Sequence, residues 1–161
     1  MANTYTCIYV HFVFAVKFRE ALIRPEWKDA LHKYITGIVQ GNGHKMMIVN
    51  SVADHLHMLV GFNTHQSLSE LMRLVKGDSS EFVNKNRFTE KKFRWQEGYG
   101  AFSVDYHNFD IIVRYILNQE AHHKKKSLRE EYVAILSQNK IDFKEEYLFL
   151  DISGSNDELI Q

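Results

Sequence analysis

An α+β fold with the element order β-α-β-β-α-β is predicted for this chain from three observations. Residues 6–16 alternate apolar positions (Ile8, Val10, Phe12, Phe14) with the period of two that marks a half-buried strand. Residues 26–39 place Trp27, Leu31, Tyr34, Ile35 and Ile38 at helical spacing. Residues 45–52 and 54–62 read as two more strands, joined so closely that they should pair as an antiparallel hairpin. This order is the ferredoxin-like split βαβ arrangement: an antiparallel sheet with helices on one face. A C-terminal helix is expected to follow it.

Each element has a local cause. After the first strand, residues 17–24 form a loop. Pro25, the only proline, then sits where a helix tolerates it, at the first position. Gly41-Asn42-Gly43 ends that helix. The second helix starts at Ser67 as N-cap, with Glu70 at the capping-box position, and runs through Leu68, Leu71, Leu74 and Val75 toward Phe82. Gly77 weakens this helix without having to break it. Residues 84–98 form a polar, basic connection, and 99–106 read as the fourth strand. Residues 109–121 follow as an amphipathic helix with Asn108 as its expected N-cap and Asp110 at the positive end of the helix dipole. Residues 128–137 form a final helix, residues 145–150 can add a short edge piece, and 154–161 look frayed.

At 161 residues the chain is large enough to bury a core as one domain. We divide it into a domain over 1–140 and an acidic extension over 141–161. The single cysteine, Cys7, cannot form an internal disulfide and is expected to be buried in the first strand. Its isolation fits a reducing cytoplasm and argues against a thiolate zinc site. No apolar run reaches the ~18 residues of a membrane span, and the N-terminal residues do not resemble a signal peptide. Formal net charge is zero, but residues 142–161 carry −5 and the remainder +5. Basic residues cluster at Lys85, Arg87, Lys91, Lys92 and Arg94, and again at Lys124, Lys125 and Lys126 with Arg129. Both clusters suit phosphate contact and equally suit ordinary solvated helix ends and loops. Trp95 and Tyr99 fit either base stacking or the core. Ser79 and Ser80 lack partners for hydrolase chemistry, and the glycines form no phosphate-cradling motif.

The most informative residues are His55 and His57. In a strand, positions i and i+2 share a face, so both imidazoles leave one side of the sheet about 7 Å apart along the chain, from roughly 3.3 Å of rise per residue. Two such neutral imidazoles can hold a divalent metal; the alternative is two polar residues on a solvated face. Downstream, Ile112, Tyr115, Ile116 and Gln119 follow helical spacing on one face. Carried to the His pair, Tyr115 and Gln119 would bring a nucleophile beside a third ligand. On its own Tyr115 reads as a core residue, and Gln119 as a solvated one. His11, on the first strand, reads as structural. His122 and His123 adjoin the lysines at a helix end.

Together these residues resemble the single-tyrosine HUH transposases, the small transposases of insertion sequences that move as single-stranded DNA. The His-hydrophobic-His signature is His55-Leu56-His57, preceded by Asp54, and the Tyr-Ile-x-x-Gln helix is Tyr115-Ile116-Leu117-Asn118-Gln119. Residues 11–19, 74–80 and 95–99 supply further matches in the family's order. The resemblance spans roughly residues 5–125 and implies Tyr115 as nucleophile, with His55, His57 and Gln119 holding Mg²⁺ or Mn²⁺. It also implies cleavage and rejoining through a 5′-phosphotyrosine intermediate, DNA hairpins as the recognised ends, and a homodimer whose sites can be shared between subunits. Residues 106–108 offer a hinge for such sharing. Two other functions compete: a domesticated relative that nicks host repeat hairpins, and a non-catalytic ferredoxin-like module that binds nucleic acid.

Overall fold

The computed structural model describes residues 3–19, 21–123, 126–145 and 148. The chain divides into two compact units, residues 1–117 and 118–161. In the first, strands β1 (Tyr9–Ala15), β2 (Lys45–Ser51), β3 (His55–Gly61) and β4 (Gly100–Val104) form one antiparallel sheet in the order β2-β3-β1-β4. Helix α1 (Pro25–Gly41) lies between β1 and β2, and α2 (Leu68–Lys85) between β3 and β4. This is the predicted ferredoxin-like order. A third helix, α3 (Phe109–Leu117), follows β4 through a 3₁₀ turn at Tyr106–Asn108.

Strand alternation decides what each sheet face carries. Val10, Phe12 and Phe14 of β1 and Leu56, Met58 and Val60 of β3 face one way, into a core with Leu31 and Ile35 of α1 and Leu71 and Val75 of α2. Trp95 belongs to this core, its ring 4.6 Å from Phe14 and its Nε1 donating to Ser79 Oγ at 2.9 Å. Tyr99 packs beside Phe12. Both aromatics are therefore structural. The helices expected on one face are α1 and α2; α3 lies against the opposite face, which carries His11, His55 and His57.

Several starts and stops follow their sequence causes. Pro25 opens α1, and Gly43 takes φ +83 beyond its end, a left-handed conformation that suits glycine. Ser67 caps α2 by accepting from the Glu70 N–H at 3.1 Å, while the Glu70 carboxylate turns instead to Arg73. Asp105, not Asn108, caps the entry to α3, its side chain accepting from the Asn108 N–H. Cys7 is exposed rather than buried in a strand. The strand begins only at Tyr9 because its partners Gly61 and Val104 end the ladders there.

The predicted helix over 109–121 is interrupted. α3 ends at Leu117, Asn118 is a turn, and α4 (Gln119–His123) belongs to the second unit. Tyr115 and Gln119 thus sit on different helices. In that second unit α5 (Leu128–Gln138), capped by Ser127, buries Leu128, Glu131, Tyr132 and Leu136. Most of 145–150 and all of 154–161 lie outside the described residues. Among the described residues no helix is long and apolar enough to cross a membrane.

One pH dependence follows from the packing of α1 on β2. His32 Nε2 lies 2.7 Å from Ser51 Oγ, and burial, aided by Lys28, pushes the imidazole down from 6.5 to about 4. The folded chain keeps His32 neutral, whereas the unfolded chain takes up a proton below about 6.5. Stability is therefore expected to fall as pH drops from about 6.5 toward 4. His11, also pushed to about 4 by burial, adds in the same direction. In urea melts over this range, His32→Gln should make the decline shallower; an unchanged slope would contradict the assignment.

Candidate active site

The site is built on the sheet face opposite the core. His55 and His57 of β3 are both fully buried, which removes the reading of a solvated strand face. Register sets their neighbours: Val13 lies opposite His57 and Ala15 opposite His55, small apolar residues that leave room for the rings. His11 is two residues before Val13 on the same face, diagonal to His57. Such diagonal positions lie about 7–8 Å apart, within reach of long side chains. The two imidazoles close the gap, with His11 Nε2 2.8 Å from His57 Nδ1.

Each ring of the pair is thereby held through Nδ1. His55 Nδ1 is 2.7 Å from Asp54 Oδ1, a carboxylate that is itself nearly buried, and His57 Nδ1 is engaged by His11. A buried imidazole held this way keeps its orientation, which leaves Nε2 as the atom that would meet a metal. Two imidazole nitrogens with partners on their far sides fit a divalent cation. Desolvation holds His11 neutral at ordinary pH, since its pKa is lowered to about 4.

Tyr115 comes to this face from α3. Its half-buried ring stands edge-on to His57 at 5.7 Å and to His11 at 6.1 Å between centroids. Three contacts hold α3 there. Tyr9 and Phe109 pack their rings 5.0 Å apart near its start. Ile116 is buried near its end. Asn50 Nδ2 donates to the carbonyls of Ile116 at 2.8 Å and Leu117 at 3.3 Å, where a helix has no intrahelical partner to offer. Asn50 reaches this face only through a bulge in β2. The register shifts between Met46 and Ile48, so Met46 and Val49 face the core while Asn50 pairs with His57. Without the extra residue Asn50 would point to the other side.

Gln119, the remaining ligand candidate, is fully buried in the second unit. Its Nε2 donates to Glu131 Oε1 at 3.4 Å. Glu131 is buried on α5, at a position that no pattern in the sequence marks. A buried carboxylate needs a donor, and the amide supplies one. The basic candidates Lys85, Arg87, Lys91, Lys92 and Arg94 are all exposed, and Lys85 pairs with Glu81 at 3.1 Å. They line two open grooves of about 580 and 650 Å³ at the end of α2 and the loop that follows. Lys126 is exposed, and Lys124 and Lys125 lie outside the described residues.

Comparison with known proteins agrees with this fold. Residues 4–119 match the family described as "Transposase IS200 like", which covers well over half of the chain. The protein is thus a transposase by class. It belongs to the IS200-like family. The chain is 26% identical over 114 residues to the ISDra2 transposase TnpA of Deinococcus radiodurans, covering 68% of this chain and 81% of the relative. It is 29% identical over 111 residues to the transposase for insertion sequence element IS200 of Salmonella typhimurium, covering 65% and 72%. A solved REP-associated tyrosine transposase bound to a REP hairpin shares the fold, with a TM-score of 0.58 and 13% identity over 76% of this chain and 73% of that one.

Proposed function

We propose that this transposase cleaves and rejoins single-stranded DNA by attack of Tyr115 on a backbone phosphodiester, using the His pair of its own chain. The observation that carries the reading is the Tyr115 ring set edge-on against His57 within one chain. No second subunit is needed for that contact, so the homodimer implied by the family resemblance is not required to assemble it. The fold neighbour bound to a REP hairpin supports hairpin DNA as the ligand class.

In the step itself, Tyr115 Oη forms a bond to phosphorus while the bond to the 3′ oxygen breaks. The phenolic proton ends on the departing 3′-hydroxyl, leaving a 5′-phosphotyrosine. Free phenols ionise near pKa 10, so the nucleophile and its phosphate both need electrostatic help at neutral pH. Mg²⁺ or Mn²⁺ held by His55, His57 and Gln119 would supply Lewis acidity to the scissile phosphate. These donors form a neutral set of borderline softness that suits either ion. Because the phosphotyrosine keeps a phosphodiester, the 3′-hydroxyl of a second strand can displace Tyr115 and return its proton without a nucleotide cofactor. Lys85, Arg87, Lys91, Lys92, Arg94 and Lys126 are assigned to phosphate contact rather than base reading.

The test uses the full chain, Mn²⁺ and a panel of hairpin-bearing single-stranded oligonucleotides labelled at the 3′ end, including the DNA that flanks the gene. Expected is a detergent-resistant protein adduct carrying the label, with release of an unlabelled fragment ending in a 3′-hydroxyl. Binding of hairpins without any adduct would favour the non-catalytic module instead.

A further inference from the structure

We propose that His11 is a positioning residue for this reaction: it accepts the Nδ1–H of His57 on its Nε2 and so commits His57 Nε2 to the metal. The inference rests on the reading of His57 as a ligand. Two buried imidazole nitrogens 2.8 Å apart share one hydrogen, and it can belong to either ring. If His11 were the donor, His57 would carry its own proton on Nε2 and could not ligate through that atom. Ligation therefore selects the other direction, with the His11 proton on Nδ1.

The arrangement parallels that of His55, whose Nδ1 is held by Asp54. The two ligands thus have different partners, an acidic one for His55 and a neutral one for His57. A second carboxylate at position 11 would place another negative charge close to the phosphate that the site must receive; an imidazole holds the ring without that repulsion. His11 also touches the nucleophile, its ring edge-on to Tyr115 at 6.1 Å. One side chain therefore sets both a ligand and the phenol.

The contact uses Nε2 and not Nδ1, which gives a sharp test. A glutamine side chain places its terminal oxygen about where Nε2 stands, whereas asparagine is too short. By titration calorimetry with Mn²⁺ alone, His11→Gln should bind within about threefold of the unaltered chain. His11→Asn and His11→Phe should bind about 10- to 100-fold more weakly, the usual effect of losing an outer partner of a ligand. Cleavage by the same variants should slow through kcat rather than KM. Equal Mn²⁺ affinity in His11→Phe and the unaltered chain would overturn the proposal. ¹⁵N NMR of the unaltered chain loaded with diamagnetic Mg²⁺ needs no variant: His57 protonated on Nδ1 is expected, and protonation on Nε2 would overturn the proposal. Failure of the unaltered chain to bind Mn²⁺ at all would count against the ligand assignment itself.

Discussion

Tyr115→Phe is expected to reduce adduct formation and strand cleavage by about 10⁴-fold or more, to the level of a reaction without the nucleophile. That loss corresponds to about 5.5 kcal/mol of transition-state stabilisation. The substitution removes only a hydroxyl from a half-buried ring that packs against His57 and His11, and it keeps those ring contacts. Stability should therefore change by about 1 kcal/mol or less. Mn²⁺ affinity and hairpin affinity should stay within about twofold. This pattern separates a nucleophile from a core tyrosine, whose loss would lower stability and leave chemistry to another group. A variant that still forms the adduct at an appreciable rate would remove Tyr115 from the mechanism.

The second large effect is on the ligands. His55→Asn and His57→Asn are the informative variants, because the asparagine amide nitrogen falls about where Nδ1 stood. His55→Asn can still donate to Asp54, and His57→Asn can still reach His11, while neither offers a nitrogen in place of Nε2. Each is expected to weaken Mn²⁺ binding by about 100-fold or more and to reduce cleavage at least as far, with the fold retained. Alanine at either position would instead leave a cavity and strand a buried partner, at about 2–4 kcal/mol, and confound the two effects. Calorimetry together with thermal melts checks both quantities. Undiminished metal binding in both asparagine variants would show that the pair serves structure.

The sheet and its flanking helices were legible because period-two and helical spacing are local, and Ser67, Pro25 and Gly43 punctuate them with known chemistry. His55 and His57 were legible as a pair because a strand fixes i and i+2 on one face whatever surrounds it. Three features depend on contacts that no local pattern contains. The hydrogen bond between His11 and His57 requires the register of two strands, its residues lying 46 apart in the chain. The inward turn of Asn50 requires a bulge, and the run 45–51 alternates no differently for having one. The break at Asn118 has neither glycine nor proline to announce it, and helical spacing continues across it, so Tyr115 and Gln119 looked like neighbours on one helix. Glu131 carries no signal in the sequence because a glutamate in a helix's first turn is usually solvated; its burial is a tertiary property. Trp95 shows the reverse case, since an aromatic beside a basic stretch suits DNA stacking until its neighbours Phe14 and Ser79 are known.

The central claim is that the phenol and the imidazoles of a single chain work together, and mixing two inactive variants tests it most directly. Tyr115→Phe keeps an intact His pair; a His55→Asn/His57→Asn double variant keeps an intact tyrosine. Combined under conditions that allow subunits to exchange, the two are expected to remain as inactive as either alone, measured by adduct on the 3′-labelled hairpin oligonucleotide. Recovery of adduct in the mixture would contradict the account, because it would mean that the tyrosine of one chain serves the histidines of another.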